Sequence, residues 1–180
     1  VKHNEGLTGN GGFFMKKCMA VLAGFLFFMG AAFAEGYVNA NDLEVGSFTG
    51  KVELEDGFAI YGSAEKPITV DNTEIPPAPD GEVFTKRINT KGAGNTSYRC
   101  VSFPVTAGEK VTVYAFSGNK TDTRTLIIAN ENGEQVTTMD CPPYGSGIMA
   151  INSFKSTASG TLYAYSKSGG INIYCIKVEK

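Results

Sequence analysis

The chain has 180 residues, with 16 basic and 18 acidic side chains, a net charge of −2 and a single histidine, His3. Residues 35–180 therefore contain no histidine, which excludes Ser-His-Asp and Cys-His catalysis and the usual histidine-containing zinc sites from that part. We expect no cofactor, no metal site and no nucleic-acid partner.

Residues 15–34, MKKCMAVLAGFLFFMGAAFA, have the three parts of a secretory signal peptide. Lys16 and Lys17 are the positive part, Met19–Gly30 is an uncharged apolar run, and Ala32-Phe33-Ala34 supplies a small-residue cleavage site. The alternative is a membrane anchor, but the run is shorter than the ~20 residues that a spanning helix needs. We expect an exported protein, periplasmic, cell-surface or extracellular, with no membrane span after cleavage.

Four segments follow from this interpretation. Residues 1–14 fit no targeting pattern and are expected to be a misassigned upstream extension of a gene that starts at Met15. Residues 15–34 are the signal peptide and 35–44 an N-terminal tail. Residues 45–180 have the length of one domain and are predicted to form a single β-sandwich.

From Val45 onward, apolar and polar residues alternate with period two, and turn residues interrupt the pattern every few positions. No sustained helical period is visible. The pattern predicts an all-β fold, a β-sandwich (jelly roll) of about ten strands. The predicted strands are 45–54, 58–61, 68–70, 83–89, 97–105, 110–116, 123–129, 135–139, 147–153, 160–165 and 171–178. The proline-rich segment 74–82 is predicted to be a stiff surface connector.

Three cysteines follow the signal peptide: Cys100, Cys141 and Cys175. Export permits a disulfide, and three cysteines leave one unpaired. We predict a Cys100–Cys175 bridge, since both residues lie in strand-like segments from opposite ends of the domain. The open alternative is three reduced cysteines that act as small buried hydrophobic residues.

Glu53, Glu55 and Asp56 form the one compact group of carboxylates that could serve a glycosidase, which needs two. They stand beside Gly57, in a pattern that is typical of a solvated acidic turn. We favour the turn and expect no enzymatic activity.

Basic residues are unevenly distributed. Residues 35–82 carry 11 acidic and two basic side chains, whereas residues 83–180 carry six acidic and 11 basic ones. Arginine and lysine suit carboxylate ligands, and a tyrosine can stack on a sugar ring. The predicted ligand-binding residues are Lys86, Arg87, Lys91, Arg99, Tyr114, Arg124 and Lys167. For each arginine the alternative is a pair with an acid that stabilises the fold.

Several short runs carry a family resemblance. They are Phe84–Arg87, Lys91–Gly94, Ser102–Gly108, Val111–Ala115, Arg124–Leu126, Gly160–Tyr163 and Gly170–Tyr174. Residues 84–174 thereby resemble the small β-sandwich modules appended to secreted bacterial pectate lyases, and also bacterial pre-peptidase C-terminal domains, which are jelly rolls. The catalytic β-helix that accompanies the pectate lyase modules has no counterpart in these 180 residues, so the resemblance implies binding and not lyase activity.

Together these observations predict a secreted, non-catalytic, carbohydrate-binding-like module for a polysaccharide or cell-surface glycan, most simply an acidic one. The alternative is a structural or protein-interaction protein of the cell surface or periplasm, in which the odd cysteine could pair between chains.

Overall fold

The computed structural model describes residues 35–180. The predicted upstream extension and signal peptide, with His3 and Cys18, lie outside the described residues. Those described form 13 strands and three short 3₁₀ turns, Ala40–Asp42, Glu55–Gly57 and Tyr144–Ser146. The strands are β1 (Gly36–Asn39), β2 (Gly46–Phe48), β3 (Lys51–Glu53), β4 (Ala59–Tyr61), β5 (Ile68–Asn72), β6 (Lys86–Asn89), β7 (Cys100–Val105), β8 (Lys110–Ser117), β9 (Arg124–Asn130), β10 (Gln135–Cys141), β11 (Ala150–Lys155), β12 (Gly160–Ser166) and β13 (Ile171–Glu179).

The strands form two sheets in which all neighbouring strands are antiparallel. The seven-stranded sheet has the order β11-β8-β13-β6-β5-β2, with β1 also paired to β13, and the six-stranded sheet has the order β10-β9-β12-β7-β4-β3. The predicted all-β sandwich is confirmed, with 13 strands in place of about ten. Within residues 35–180, no helix has the length and apolarity needed to cross a membrane.

The predicted strand 45–54 is in fact two strands in different sheets. β2 pairs with β5 in the seven-stranded sheet and β3 with β4 in the six-stranded one, so the chain changes sheets at 49–50. Gly62 lies against this crossing: its amide donates to the carbonyl oxygen of Gly50, and a Cβ on it would collide with the carbonyl of Phe48. Alternation within one strand does not reveal such a change of sheet.

The segment 35–44, predicted to be a tail, belongs to the sandwich. Its strand β1 pairs with β13 over four residues, from Gly36 opposite Val178 to Asn39 opposite Cys175. Val38 and Ala40 are buried in the core. The prediction failed because a four-residue strand is too short to show a period, and its partner lies at the other end of the chain.

The main core fills the space between the two sheets. Phe58 and Phe103 are at most 1% exposed and stack with their ring centroids 6.0 Å apart. Replacing such a ring with alanine costs roughly 3–5 kcal/mol. Branched aliphatic residues from both sheets complete the core, among them Val111, Val113, Leu126, Ile128, Ile173 and Ile176.

A second apolar cluster lies on the outer face of the seven-stranded sheet, beneath residues 73–85, which we call the strap. Phe84 of the strap is 3% exposed, and its ring centroid lies 5.5 Å from the ring centroids of both Tyr114 and Tyr174. Ala78 of the strap is also buried. The proline-rich connector therefore covers one outer face of the sandwich.

The predicted Cys100–Cys175 disulfide is not formed: the three cysteines of the described residues are all buried and unbridged. Val101 faces the main core, so Cys100 points to the outer face of the six-stranded sheet. Cys175 lies in the cluster beneath the strap, on the far side of the other sheet. Stacked sheets are ≈ 10 Å apart, which exceeds the reach of a disulfide.

Candidate functional site

The strap leaves the outer face of the six-stranded sheet uncovered. Tyr61, Tyr163 and Tyr165 lie there, each partly exposed. Pairing brings them together, because Cys100 of β7 lies opposite both Tyr61 of β4 and Tyr165 of β12. Ser102 likewise lies opposite Tyr163. We call this surface the tyrosine face; small buried residues fill the space between its rings, namely Ala59, Cys100, Ser102 and Ala129.

The rings are held by each other and by a neighbouring cation. The centroids of Tyr61 and Tyr163 are 5.9 Å apart, with ring planes inclined at 58°. The Lys51 Nζ lies 5.4 Å from the Tyr61 centroid and also pairs with the carboxylate of Glu53. Burial, followed by the neighbouring Tyr61, raises the pKa of the Tyr163 hydroxyl. The Tyr163 hydroxyl therefore stays neutral at physiological pH and can both donate and accept hydrogen bonds.

The tyrosine face continues towards one end of the sandwich. Along β12, Tyr163 and Tyr165 point to the same side, and two residues further lies Lys167, whose amide donates to the carbonyl oxygen of Thr125 over 3.0 Å. The antiparallel order brings five loops to this end: 62–67, 90–99, 118–123, 142–149 and 167–170. The amide of Gly118 donates to the carbonyl oxygen of Gly170 and so connects two of these loops, and the amide of Gly94 donates to the carbonyl oxygen of Ser166, the last residue of β12.

The two ends of the sandwich have opposite charge. The five loops and the first residue of β9 hold six basic and two acidic residues: Lys66, Lys91, Arg99, Lys120, Arg124, Lys167, Glu65 and Asp122. The loops at the other end, 54–58, 73–85, 106–109 and 131–134, hold eight acidic residues and no basic one: Glu55, Asp56, Glu74, Asp80, Glu82, Glu109, Glu131 and Glu134. We call these the basic end and the acidic end.

Four of the predicted ligand-binding residues lie at the basic end. Lys91 and Arg99 both have positive φ values, 60° and 52°, a conformation that side chains rarely adopt and that is often found at functional sites. The Arg124 Nη1 donates to the carbonyl oxygen of Gly170 over 2.6 Å. Lys167 is exposed and continues the tyrosine face.

The other three have structural contacts. The Lys86 Nζ donates to the carbonyl oxygens of Asn41 and Leu43, at 3.0 and 2.6 Å. The Arg87 Nε lies 2.5 Å from the Asp71 Oδ1, and the two residues are opposite each other on β6 and β5. For Arg87 this ion pair is the contact that stabilises the fold, the alternative to ligand binding.

Tyr114 is 4% exposed beneath the strap, so a ligand cannot reach its ring. Its hydroxyl donates to the carboxylate of Asp80. The tyrosines that do reach solvent were visible in the sequence as the alternation of Tyr163 and Tyr165 with Leu162 and Ala164. The sequence pattern did not indicate which of the two outer faces is covered by the strap.

Glu53, Glu55 and Asp56 line a cavity of about 500 Å³ at the acidic end, together with Asp42, Leu43, Leu54 and the β1 residues Tyr37, Val38 and Asn39. In the described part of the chain, no three metal-ligating side chains are close enough together to hold an ion.

No protein-family model matches the chain, and no curated protein matches it in sequence. Among solved structures it is similar to "CBM35", a carbohydrate-binding module from Paenibacillus barcinonensis, at 14% identity and a TM-score of 0.46 over 81% of this chain and 98% of that one. It is also similar to CsCBM6-3 from Clostridium stercorarium in complex with cellobiose, at 15% identity and a TM-score of 0.40 over 81% and 93%.

An exo-β-1,3-galactanase from Phanerochaete chrysosporium matches at 13% identity and a TM-score of 0.43, over 81% of this chain. The chain spans only 29% of that enzyme. Similarities of this size say nothing about what this chain binds, so its function has to be inferred from its own surface.

Proposed function

We propose that this chain is an exported, non-catalytic module that binds an acidic polysaccharide on the tyrosine face, with the basic end holding the ligand's carboxylates. The observation that carries the proposal is the placement of Tyr61, Tyr163 and Tyr165 on the uncovered outer face, in line with Lys167.

Tyrosine rings on a sheet suit sugars because each ring offers an apolar face to the C–H groups of a pyranose and a hydroxyl to its oxygens. Tyr163 and Tyr165 are two residues apart on β12, about 6.6 Å along the strand. The small side chains of Ala59 and Ser102 leave the surface between the rings low. A sugar chain can therefore lie across several rings at once.

The charge of the basic end favours an acidic ligand. Lys120 and Lys167 are exposed and form none of the ion pairs found among residues 35–180. A lysine that is free of an acidic partner can approach a uronate carboxylate without first breaking an ion pair. Such contacts are screened by salt, since the Debye length falls from about 30 Å at 0.01 M to about 3 Å at 1 M.

Affinity electrophoresis or calorimetry with polygalacturonate tests this function, with a neutral glucan as comparison. We expect retardation by the acidic polymer at low salt, a roughly tenfold or greater loss in Tyr163→Ala, and no loss in Tyr37→Ala, which removes an exposed tyrosine from the other sheet. Absence of retardation by either polymer at low salt would overturn the proposal. Equal loss in both variants would show that the tyrosine face is not the site.

A second candidate function is that of a structural or protein-interaction protein, favoured by the opposite charge of the two ends. A disulfide-linked dimer is not its basis, because burial holds all three thiols inside the fold. An interaction would have to use the surface.

A further inference from the structure

The strand pairing shows which side chains surround the tyrosine face on the outer surface of the six-stranded sheet. Tyr165 of β12 lies opposite Ile127 of β9. Tyr61 of β4 lies opposite Lys51 of β3, which is the edge strand of this sheet. Residues directly opposite each other in antiparallel strands point to the same side of a sheet. The pairing therefore identifies the charges that a sugar chain on this surface would meet.

Within residues 35–180, three charged side chains point outward from the strands of this sheet, one basic and two acidic. Lys51 and Glu53 lie on β3, where they form an ion pair with each other. Asp140 lies on β10 between Met139 and Cys141, two residues of the main core, and it is exposed. In the described strands, the outer surface of this sheet therefore has no positive charge that is free of an acidic partner.

A carboxylate above the three rings would be poorly held. Above Tyr61 it would have to displace Glu53 from Lys51. Tyr163 is four residues from Lys167, which is about 13 Å along a strand. At 0.15 M salt the Debye length is about 8 Å, so the charge of Lys167 is largely screened at that distance. The tyrosine face therefore suits neutral sugars better than uronates.

The loop that follows the tyrosine face, residues 167–170, has the opposite character. Lys167 is exposed and forms none of the ion pairs of residues 35–180. The Arg124 Nη1 donates to the carbonyl oxygen of Gly170, and the backbone of Gly170 lies against that of Lys91. Three basic residues therefore surround this loop, directly beyond Tyr165, and a carboxylate can be held there.

We infer that the ligand is a polysaccharide of mainly neutral sugars with carboxylates at intervals, bound with neutral sugars on the tyrosine rings and one carboxylate at Lys167. The inference rests on the proposed function and narrows its substrate class. A uniformly charged polyuronate would place carboxylates above the tyrosines, where no free base meets them. A fully neutral chain would leave the basic end without a partner.

Galacturonans with unesterified, half-esterified and fully methyl-esterified carboxyl groups test the inference, because the backbone stays constant while the charge changes. Affinity electrophoresis at about 0.15 M salt compares them. We expect the half-esterified polymer to bind roughly threefold or more tightly than the unesterified one. It should bind roughly tenfold or more tightly than the fully esterified one, which has no carboxylate for the basic end.

Three variants locate the charges that set this preference. Lys167→Gln should remove most of the advantage of the half-esterified over the fully esterified polymer. Glu53→Gln releases Lys51 and should strengthen binding of the unesterified polymer, so that the preference of the wild type shrinks or reverses. Glu74→Gln removes an exposed acid from the strap, on the other sheet, and should leave the preference unchanged.

Tightest binding of the unesterified or of the fully esterified polymer by the wild type would overturn this inference. Equal effects of Glu74→Gln and Glu53→Gln would also overturn it, since they would show a response to total charge and not to the charges of this surface. These results leave sugar binding on the tyrosine face in place. Failure of all three polymers to bind, in low salt as well, would instead overturn the proposed function and this inference with it.

Discussion

The hydroxyl of Tyr114 donates a 2.7 Å hydrogen bond to the carboxylate of Asp80, and this contact fixes the strap to the seven-stranded sheet. A second side-chain contact, from the Lys177 Nζ to Glu82 at 2.9 Å, holds the same segment. Together with the packing of Phe84, they explain why one outer face of the sandwich is covered and the other is open.

Tyr114→Phe removes only the hydroxyl and should lower the free energy of unfolding by about 1 kcal/mol, since the ring stays packed against Phe84. Chemical unfolding with urea measures this difference. The hydrogen bond from Tyr114 lowers the pKa of Asp80, so its contribution is present above the ordinary carboxyl range and is lost as the pH falls through the folded-state pKa. The difference between wild type and Tyr114→Phe should therefore shrink in acid; a constant difference would contradict the contact.

The thiols of Cys100, Cys141 and Cys175 should not react with a thiol reagent in the native protein and should all react in denaturant. Burial raises the pKa of each to about 12 from 9.0. Counting released chromophore with and without denaturant checks this. A thiol that reacts in the folded protein as fast as an exposed cysteine would contradict its burial.

The same burial predicts loss of stability in alkali. A raised pKa means that the folded state keeps a proton which the unfolded chain releases, so the stabilisation is complete below pH 9 and is lost as the pH rises towards about 12. Unfolding in urea at about pH 8 and about pH 10.5 should show this decrease. Replacing the three cysteines with alanine should reduce the decrease without abolishing it, because the pKa of buried Tyr174 is raised too.

Gly62→Ala should destabilise the fold by about 1–3 kcal/mol, because its Cβ would meet the carbonyl of Phe48 where the chain changes sheets. Gly50→Ala is a matched control at the same crossing, since a Cβ there has no neighbour within 4 Å. Its effect should stay within about 0.5 kcal/mol. Thermal or urea unfolding of the two variants compares them directly, and equal effects would contradict the close approach.

Lys91→Gly separates binding from folding at the basic end. Lys91 has a φ of 60°, a conformation that glycine adopts without strain, so relief of strain offsets the greater entropy of the unfolded glycine chain. The melting temperature should stay nearly unchanged while affinity for polygalacturonate falls at low salt. An unchanged affinity would remove Lys91 from the proposed site.

The alternating pattern predicted the long strands well, from β7 to β9 and in β12 and β13, because these strands each have one face in the core. It failed for β1, which depends on a partner about 140 residues away, and at the crossing between β2 and β3. Of the candidate site, sequence identified the charge of Lys91, Arg99, Arg124 and Lys167. It did not identify the tyrosine face, because strand alternation places Tyr114 and Tyr163 alike on an outer face of the sandwich. Only the path of the strap shows that the face of Tyr114 is covered and the face of Tyr163 is open.

The opposite charges of the two ends also give the domain an electric dipole along its strands. Near a negatively charged polymer, such a molecule turns its basic loops towards the polymer before contact. Glu35 precedes β1 and Lys180 follows β13, where Gly36 and Val178 are paired, so both termini of the described chain leave from the acidic end. A surface tether or fusion partner attached at either terminus would therefore present the basic loops outward, away from its own point of attachment.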